Sequence, residues 1–257
     1  MKSDNREAGA APSAAWAVAS LALTMLMPSL DTSIANAGLP ALAQALDATF
    51  QQAQWIVLAY LLAVTTLIVS VGRLGDLLGR RRLLLAGIAL FTAASLLCGL
   101  APTLPALIAA RAAQGLGAAV MMALAIAMAG EAAAQGRTGS AMGLLGSMSA
   151  IGTTLGPSLG GLLTAGLGWR AIFLVNVPLG LVNFALARRY LPADRRAAKS
   201  GRQDFDPLGT LLLALTLAAY ALAMTQGQGR FGALGGGLLL AAAAGAALFI
   251  RVEARAA

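Results

Sequence analysis

The sequence contains no histidine and a single cysteine, Cys98, in 257 residues. One cysteine excludes a disulfide framework within the chain, and the lack of Cys and His clusters predicts that no metal centre is present. Histidine is also the side chain whose charge ordinarily changes between pH 5 and 8. Any proton-dependent step therefore requires another titratable group.

Charged residues are scarce as well, at 11%, whereas hydrophobic residues make up 59% of the chain. A soluble domain of this length does not bury so much apolar surface. A membrane-spanning helix needs about 20 mostly apolar residues. The charge-free runs predict eight such helices, over residues 15–36, 54–72, 83–101, 104–128, 140–165, 170–188, 207–226 and 231–250. The predicted fold is therefore an all-α polytopic membrane protein.

The basic residues lie almost entirely on one side of this topology. If the N-terminus is cytoplasmic, only Arg170 and Arg230 of the 18 lysines and arginines are on the outer side, and Arg111 lies within a helix. Positive charge accumulates in cytoplasmic loops, so we expect both termini in the cytoplasm and the chain in the inner (plasma) membrane. The net charge of +8 then reflects this bias towards the cytoplasmic face of the lipid bilayer, and no nucleic-acid partner is predicted.

Two segments between the predicted helices are long. Gly38 and Pro40 are expected to end the first helix, which leaves residues 37–53 as an outer loop. A second, basic segment divides the helices into six and two. The predicted parts are an N-terminal six-helix bundle over residues 1–188, a cytoplasmic linker over 189–206, and two further helices with a short cytoplasmic tail over 207–257.

Asp31 and Arg111 are lone charges within apolar helices. A charge at mid-bilayer costs about 2.5–3.5 kcal/mol on insertion scales, and such residues usually pair or serve an ion path. At about 1.5 Å per residue, both positions lie roughly 8–10 Å below the outer surface, so we expect contact. One interpretation is a static pair held for structural specificity.

The other interpretation is proton coupling by Asp31 and Arg111. Burial favours a neutral carboxyl, and a nearby guanidinium favours the ionised form. A conformational change that alters their distance or hydration therefore changes whether Asp31 holds a proton.

Three stretches between and within the helices carry the remaining signals. They are Gly72-Arg73-Leu74-Gly75-Asp76-Leu77-Leu78-Gly79-Arg80-Arg81-Arg82, Arg111-Ala112-Ala113-Gln114-Gly115-Leu116-Gly117, and Gly152-Thr153-Thr154-Leu155-Gly156-Pro157-Ser158-Leu159-Gly160-Gly161. Glycines at i, i+4 and i+8 of the third stretch predict a groove that lets another helix approach closely. Its proline can bend the helix.

These stretches resemble the cytoplasmic-loop, helix-4 and antiporter motifs of the major facilitator superfamily. Leu30–Pro40, Gln54–Leu62 and Trp169–Pro178 make the chain similar to the fourteen-helix drug:proton antiporter family, from about residue 15 to the end. The loop signature of the superfamily has a basic residue after its Asp, where this chain has Leu77. The family has six helices, two extra helices and six more, so we expect the C-terminal bundle to be absent here.

The resemblance implies roles for the motif residues. It makes Gly72, Asp76, Gly79, Arg80 and Arg81 a conformational-switch loop, although Asp76 could simply cap the third helix and the arginines anchor the cytoplasmic face. It places the helix-5 groove of Gly152, Gly156, Pro157 and Gly160 against an opposite bundle, although packing within one bundle also explains it. Thr24, Met27, Tyr60 and Gln114 are candidates for lining a central cavity. Trp169, Arg170 and Asn176 are expected to fix an outer turn.

The predicted function is proton-coupled export of amphipathic drugs or toxic small molecules. Two alternatives remain, a dedicated metabolite exporter and a truncated fragment that does not transport. The partners are then an amphipathic small molecule, protons, the bilayer and a missing C-terminal six-helix bundle, and the proton gradient replaces any cofactor. An enzyme is not expected, since the sequence offers no nucleophile–base pair or phosphate loop.

Overall fold

The computed structural model describes residues 4–132, 138–194, 215–216, 219, 237 and 240–245. These residues are helical or lie in turns and short connections, with no strand among them, which confirms the all-α prediction. The helices in residues 4–190 are α1 (Asp4–Ala45), α2 (Phe50–Leu78), α3 (Arg80–Leu100), α4 (Leu104–Ala132), α5 (Thr138–Leu167), α6 (Ala171–Leu174) and α7 (Asn176–Tyr190). The predicted helices 207–226 and 231–250 and the linker after residue 194 lie largely outside the described residues.

Helix α1 extends well beyond its predicted end. It continues through Gly38 and Pro40, so the predicted outer loop of residues 37–53 is wrong and shrinks to residues 46–49. A proline inside a helix removes one backbone hydrogen bond. The extension nevertheless buries Leu39 and Leu42 in the outer hydrophobic cluster, and that tertiary packing outweighs the helix-breaking tendency of the proline.

A capping box starts α2. The Thr49 side chain accepts a hydrogen bond from the Gln52 backbone N–H at 3.3 Å, and the Gln52 side chain accepts one from the Thr49 N–H at 2.9 Å. This reciprocal pair satisfies donors that a helix N-terminus leaves free. The helix therefore begins four residues earlier than hydrophobicity alone predicts.

The sixth predicted helix is interrupted. It divides at Val175 into α6 and α7, three residues before Pro178. Pro178 has no N–H to donate to the Leu174 carbonyl, and its ring crowds that group. The break places Asn176 at the first position of α7, where its side chain is fully buried.

Helix α4 lies at the centre of the bundle and contacts α1, α2, α3 and α5. Glycines allow this close approach: a Cβ at Gly115 would lie 2.5 Å from the Tyr60 carbonyl oxygen, and one at Gly117 would lie 2.7 Å from the Phe91 nitrogen. Small residues at helix contacts are typical of membrane bundles.

Five segments of the described chain are long and apolar enough to cross a membrane: 15–45, 50–68, 80–100, 104–130 and 171–190. Helix α5, with 30 residues, also has sufficient length, and Gly, Ser and Thr make up about half of it. Large apolar side chains point outward around the bundle, including Leu97, Leu100, Leu162, Leu167 and Leu181. This surface is suited to lipid, and the chain is a multi-pass membrane protein.

Candidate functional site

Asp31 and Arg111 form an ion pair in the interior of the bundle. The Arg111 Nη1 atom lies 2.5 Å from Asp31 Oδ2, and both side chains have 0% exposure. The pair joins α1 to α4. The contact that the helix depths predict is therefore present.

The second carboxylate oxygen of Asp31 accepts two more hydrogen bonds. Gln114 Nε2 donates to Asp31 Oδ1 at 2.9 Å, and Asn176 Nδ2 donates to the same atom at 2.8 Å. An ionised carboxylate accepts hydrogen bonds only, through both oxygens. Three donors from α4 and α7 thus surround Asp31 in the arrangement that suits its ionised form.

Arg111 is held from several directions. Its Nε donates to the Ile56 carbonyl at 3.1 Å and its Nη1 also donates to Gln114 Oε1 at 2.6 Å. The guanidinium carbon lies 4.3 Å from the centre of the Tyr60 ring and 5.6 Å from that of Phe173. Such cation–π contacts stabilise a buried cation, so α2 and α6 contribute to holding this charge.

Gln114 connects the pair to α3. Its Nε2 also donates to Ser95 Oγ at 2.8 Å, and Cys98 Sγ lies 3.6 Å from its Oε1. We refer to Asp31, Ser95, Cys98, Arg111, Gln114 and Asn176 as the Asp31 cluster. The cluster links α1, α3, α4 and α7 through fully buried polar atoms.

The chemistry open to this cluster is the binding and release of one proton. Removing one partner of a buried ion pair is strongly unfavourable, because the other charge then lacks compensation. Protonation of Asp31 has that effect on Arg111. Loss of the Asp31 charge would therefore weaken the contact between α1 and α4.

Asn176 and Ser95 are members of the cluster that the sequence did not reveal. The sequence predicts Asn176 in the outer turn, whereas its amide donates to Asp31 in the bundle interior. A polar residue two positions before a proline, in an otherwise apolar stretch, was the available signal. Only the break between α6 and α7 turns it inward.

The four candidate cavity residues do not reach a cavity surface. Thr24, Met27 and Gln114 have 0% exposure and Tyr60 has 2%. Thr24 accepts a hydrogen bond from Asn183 Nδ2 at 3.0 Å, and Tyr60 packs on Arg111. The structure therefore does not support their prediction as cavity-lining residues, because each is enclosed by helices of its own bundle.

The helix-5 groove faces α1 of the same chain. A Cβ at Gly152 would lie 2.9 Å from the Leu26 carbonyl oxygen, one at Gly156 would overlap Ser33, and one at Gly160 would lie 3.3 Å from the Ile34 carbonyl oxygen. Pro157 lies on the exposed face of the helix. These contacts support the interpretation of packing within one bundle, and a contact of α5 with an opposite bundle stays a prediction.

The loop between α2 and α3 differs from its predicted form in two respects. Asp76 does not cap α3: it belongs to the last turn of α2, and Arg80 donates to its Oδ1 through Nη2 at 2.9 Å and Nε at 3.0 Å. Gly72 has open space where a Cβ would stand, whereas one at Gly75 would lie 2.9 Å from Leu124. Only Gly75 is therefore required for close packing.

Asp194 supplies the cap that Asp76 does not. Its carboxylate accepts from the backbone N–H groups of Arg81 at 2.8 Å and Arg82 at 3.3 Å. Gly79 has φ +94° as the predicted turn requires, and a Cβ there would also press on Asp194. The Arg81 guanidinium donates to the Arg188 carbonyl. These contacts attach the end of α7 to the start of α3.

Curated relatives resemble most of the chain. It is 37% identical to the multidrug resistance protein Stp of Mycobacterium tuberculosis (strain H37Rv), over 91% of this chain and 43% of Stp. It is 35% identical to the methylenomycin A resistance protein of Streptomyces coelicolor, over 82% of this chain and 44% of that protein. It is 34% identical to the riboflavin transporter RibZ of Clostridioides difficile, over 80% of this chain and 45% of that protein. The chain spans less than half the length of each of these relatives.

A solved structure has the same fold. The bacterial homologue of the human lysosomal transporter Spinster, in an inward-facing and occupied conformation, matches with a TM-score of 0.64 at 16% identity, over 90% of this chain and 59% of that one. The profile of the Major Facilitator Superfamily matches residues 21–252. The chain therefore belongs to the major facilitator superfamily.

Proposed function

We propose that this chain provides the N-terminal bundle of a proton-coupled carrier that exports amphipathic drugs or other toxic small molecules across the inner membrane. The observation that carries the proposal is the buried Asp31–Arg111 pair with its two amide donors. Intramembrane ion pairs of this kind are expensive and usually serve function. The names of Stp and the methylenomycin A resistance protein support export of toxic compounds.

Proton uptake on Asp31 provides the coupling step. Protonation removes the negative charge from a carboxylate that faces Arg111 at 2.5 Å. The ion pair between α1 and α4 is then lost, and Arg111 keeps a buried positive charge without its counter-charge. The bundle gains an alternative arrangement whose population depends on the proton gradient, and this is the energy source that we propose.

The substrate path lies on another surface of the bundle. The Asp31 cluster and the Gly152–Gly160 groove are both enclosed by helices of this chain. Carriers of this type rock two repeats around a site between them. We therefore propose that a second six-helix bundle packs against this one, with substrate between them, and that both termini of this chain are cytoplasmic.

Transport by the chain with and without a second bundle tests this proposal. Reconstituted alone in proteoliposomes, the 257-residue chain is expected to drive no proton-coupled efflux. Joined to a matching C-terminal six-helix bundle, it is expected to export a cationic amphipathic dye when a proton gradient is imposed. Gradient-dependent efflux by the monomeric chain would contradict the two-bundle proposal, and efflux by a homodimer alone would assign the second bundle to another copy.

A dedicated metabolite carrier is the second candidate. The riboflavin transporter RibZ favours it, since that relative is almost as similar as the resistance proteins. The joined protein distinguishes the two candidates when several chemically unrelated amphipathic dyes are compared with riboflavin. Transport of several dyes supports drug export, and transport of riboflavin alone supports the second candidate.

A further inference from the structure

Asn176 has an unused hydrogen-bond acceptor inside the Asp31 cluster. Its Nδ2 donates to Asp31 Oδ1 at 2.8 Å, but its own Oδ1 is buried and receives no hydrogen bond from the described residues. The residue has 0% exposure. Buried side-chain polar atoms are nearly always paired, and an exception requires an explanation.

The two ends of a side-chain amide complement the two states of a carboxyl group. The NH2 group donates and therefore suits an ionised carboxylate, whereas the C=O accepts and suits a protonated carboxyl, which has an O–H to donate. The terminal torsion of Asn is broad and roughly two-fold. A half-turn therefore exchanges one end for the other without moving the backbone.

Gln114 cannot make this exchange. Its Oε1 accepts from Arg111 Nη1 at 2.6 Å, and its Nε2 donates to Ser95 Oγ as well as to Asp31. Turning this amide would place its NH2 group against the guanidinium. Of the two amides that contact Asp31, only Asn176 has an end that is not already engaged.

We propose that the Asn176 amide turns when Asp31 takes up a proton. In the ionised state Asn176 Nδ2 donates to Asp31 Oδ1; in the protonated state the new O–H on Oδ1 donates to Asn176 Oδ1. Arg111 remains against Oδ2 in both states. Asn176 is thus a positioning residue that responds to the protonation of Asp31 at the break between α6 and α7. This inference rests on the proposed function, in which Asp31 carries the proton.

Among the groups that surround Asp31, Asn176 is the one whose side chain can respond to protonation of Asp31. The charged group that faces Asp31 is Arg111 on α4, and the other titratable groups near it are Tyr60 on α2 and Cys98 on α3. The described residues that α6 and α7 contribute here are Phe173 and Asn176, and of their two side chains only that of Asn176 can form hydrogen bonds.

Infrared difference spectroscopy of the 257-residue chain in lipid vesicles, recorded across a pH titration, tests the proposal. The carbonyl band of protonated Asp31 is assigned by its loss in Asp31→Asn. In Asn176→Leu the Asp31 O–H loses its acceptor, and this band is expected to shift to higher wavenumber. Asn183→Leu is the matched control, because Asn183 is equally buried two turns along α7 but bonds Ser20 and Thr24 instead.

A label provides a readout that needs no variant at position 176. In the wild-type chain with ¹³C-labelled asparagine carbonyls, a pH-dependent amide band is expected and is expected to vanish in Asp31→Asn. A wild-type spectrum without that amide band would overturn the role of Asn176. An Asp31 band at the same wavenumber in Asn176→Leu and Asn183→Leu would also overturn it. Neither result would contradict the proposed proton step. The absence of any titrating band that depends on Asp31 would overturn the proposed proton step as well.

Discussion

At the scale of single residues, the most costly feature of the bundle is the fully buried charge pair of Asp31 and Arg111, and neighbouring side chains stabilise it. Arg111 uses Nε and Nη1 on protein oxygens and covers its guanidinium with Tyr60 and Phe173. Asp31 receives three donors in return. The sequence predicted that the two charges would meet, because each was alone at the same depth in its helix. It did not predict Asn176 or Ser95, because helix rotation and the break at Val175 determine where those side chains point.

Arg111→Leu is expected to destabilise the bundle by about 3–5 kcal/mol, because it leaves Asp31 buried without its partner. The double variant Asp31→Leu with Arg111→Leu is expected to recover most of that loss, since no buried charge remains. Denaturant unfolding of the purified chain in detergent micelles measures both. Asp31→Leu alone completes the set. If the loss of unfolding free energy in the double variant equals the sum of the losses in the two single variants, the two side chains are not energetically coupled.

Contacts between pairs of helices set the packing of this bundle. Among the described helices, the contact between α1 and α5 is the most extensive. Gly152, Gly156 and Gly160 bring α5 onto α1, where Ser33 Oγ donates to the Thr153 carbonyl at 2.6 Å. The four-residue spacing predicted a smooth face on α5. It could not identify the helix that covers that face, because small residues permit close approach by any neighbour.

Substitution at Gly156 tests this contact, with Gly161 on the same helix as the matched control. A Cβ at Gly156 would overlap Ser33, whereas one at Gly161 meets nothing within 4 Å. Overpacking typically costs about 1–3 kcal/mol, so Gly156→Leu is expected to lower the free energy of unfolding by at least that amount. Gly161→Leu is expected to leave it nearly unchanged. Equal effects of the two substitutions would show that α5 packs through a different face.

The start of α3 depends on a residue more than one hundred positions away. Asp194→Ala removes the side-chain cap from the Arg81 and Arg82 amides, and loss of such a cap costs about 0.5–2 kcal/mol. Hydrogen exchange at these two amides is therefore expected to accelerate several-fold. Asp76→Ala, which removes the contact with Arg80 and leaves Asp194 in place, is the control and is expected to leave their exchange rates unchanged. Acceleration by Asp76→Ala alone would restore the sequence-based assignment of Asp76 as the cap.

At the scale of the whole molecule, the described residues combine a lipid-suited exterior with an apolar core that encloses the polar Asp31 cluster. Composition and the long charge-free runs predicted an all-helical membrane protein, because both follow from the solvent in which the chain folds. The helix ends were less accurate: α1 extends past Pro40 because its continuation buries Leu39 and Leu42. The cavity residues were misplaced because periodicity alone does not separate a face towards a neighbouring helix from a face towards a substrate path.

Drug-dependent proton movement tests the role of Asp31 most directly. The wild-type chain joined to a C-terminal six-helix bundle and its Asp31→Asn variant are reconstituted in vesicles that contain a pH-sensitive dye, and substrate is added. Asn keeps nearly the same shape but cannot carry the proton, so we expect the variant to insert normally and to show no substrate-dependent proton flux. Asp47→Asn, at an exposed acid in the connection that follows α1, is expected to behave as wild type. Normal coupled proton flux in Asp31→Asn would contradict the proposal and reduce Asp31 to a structural residue.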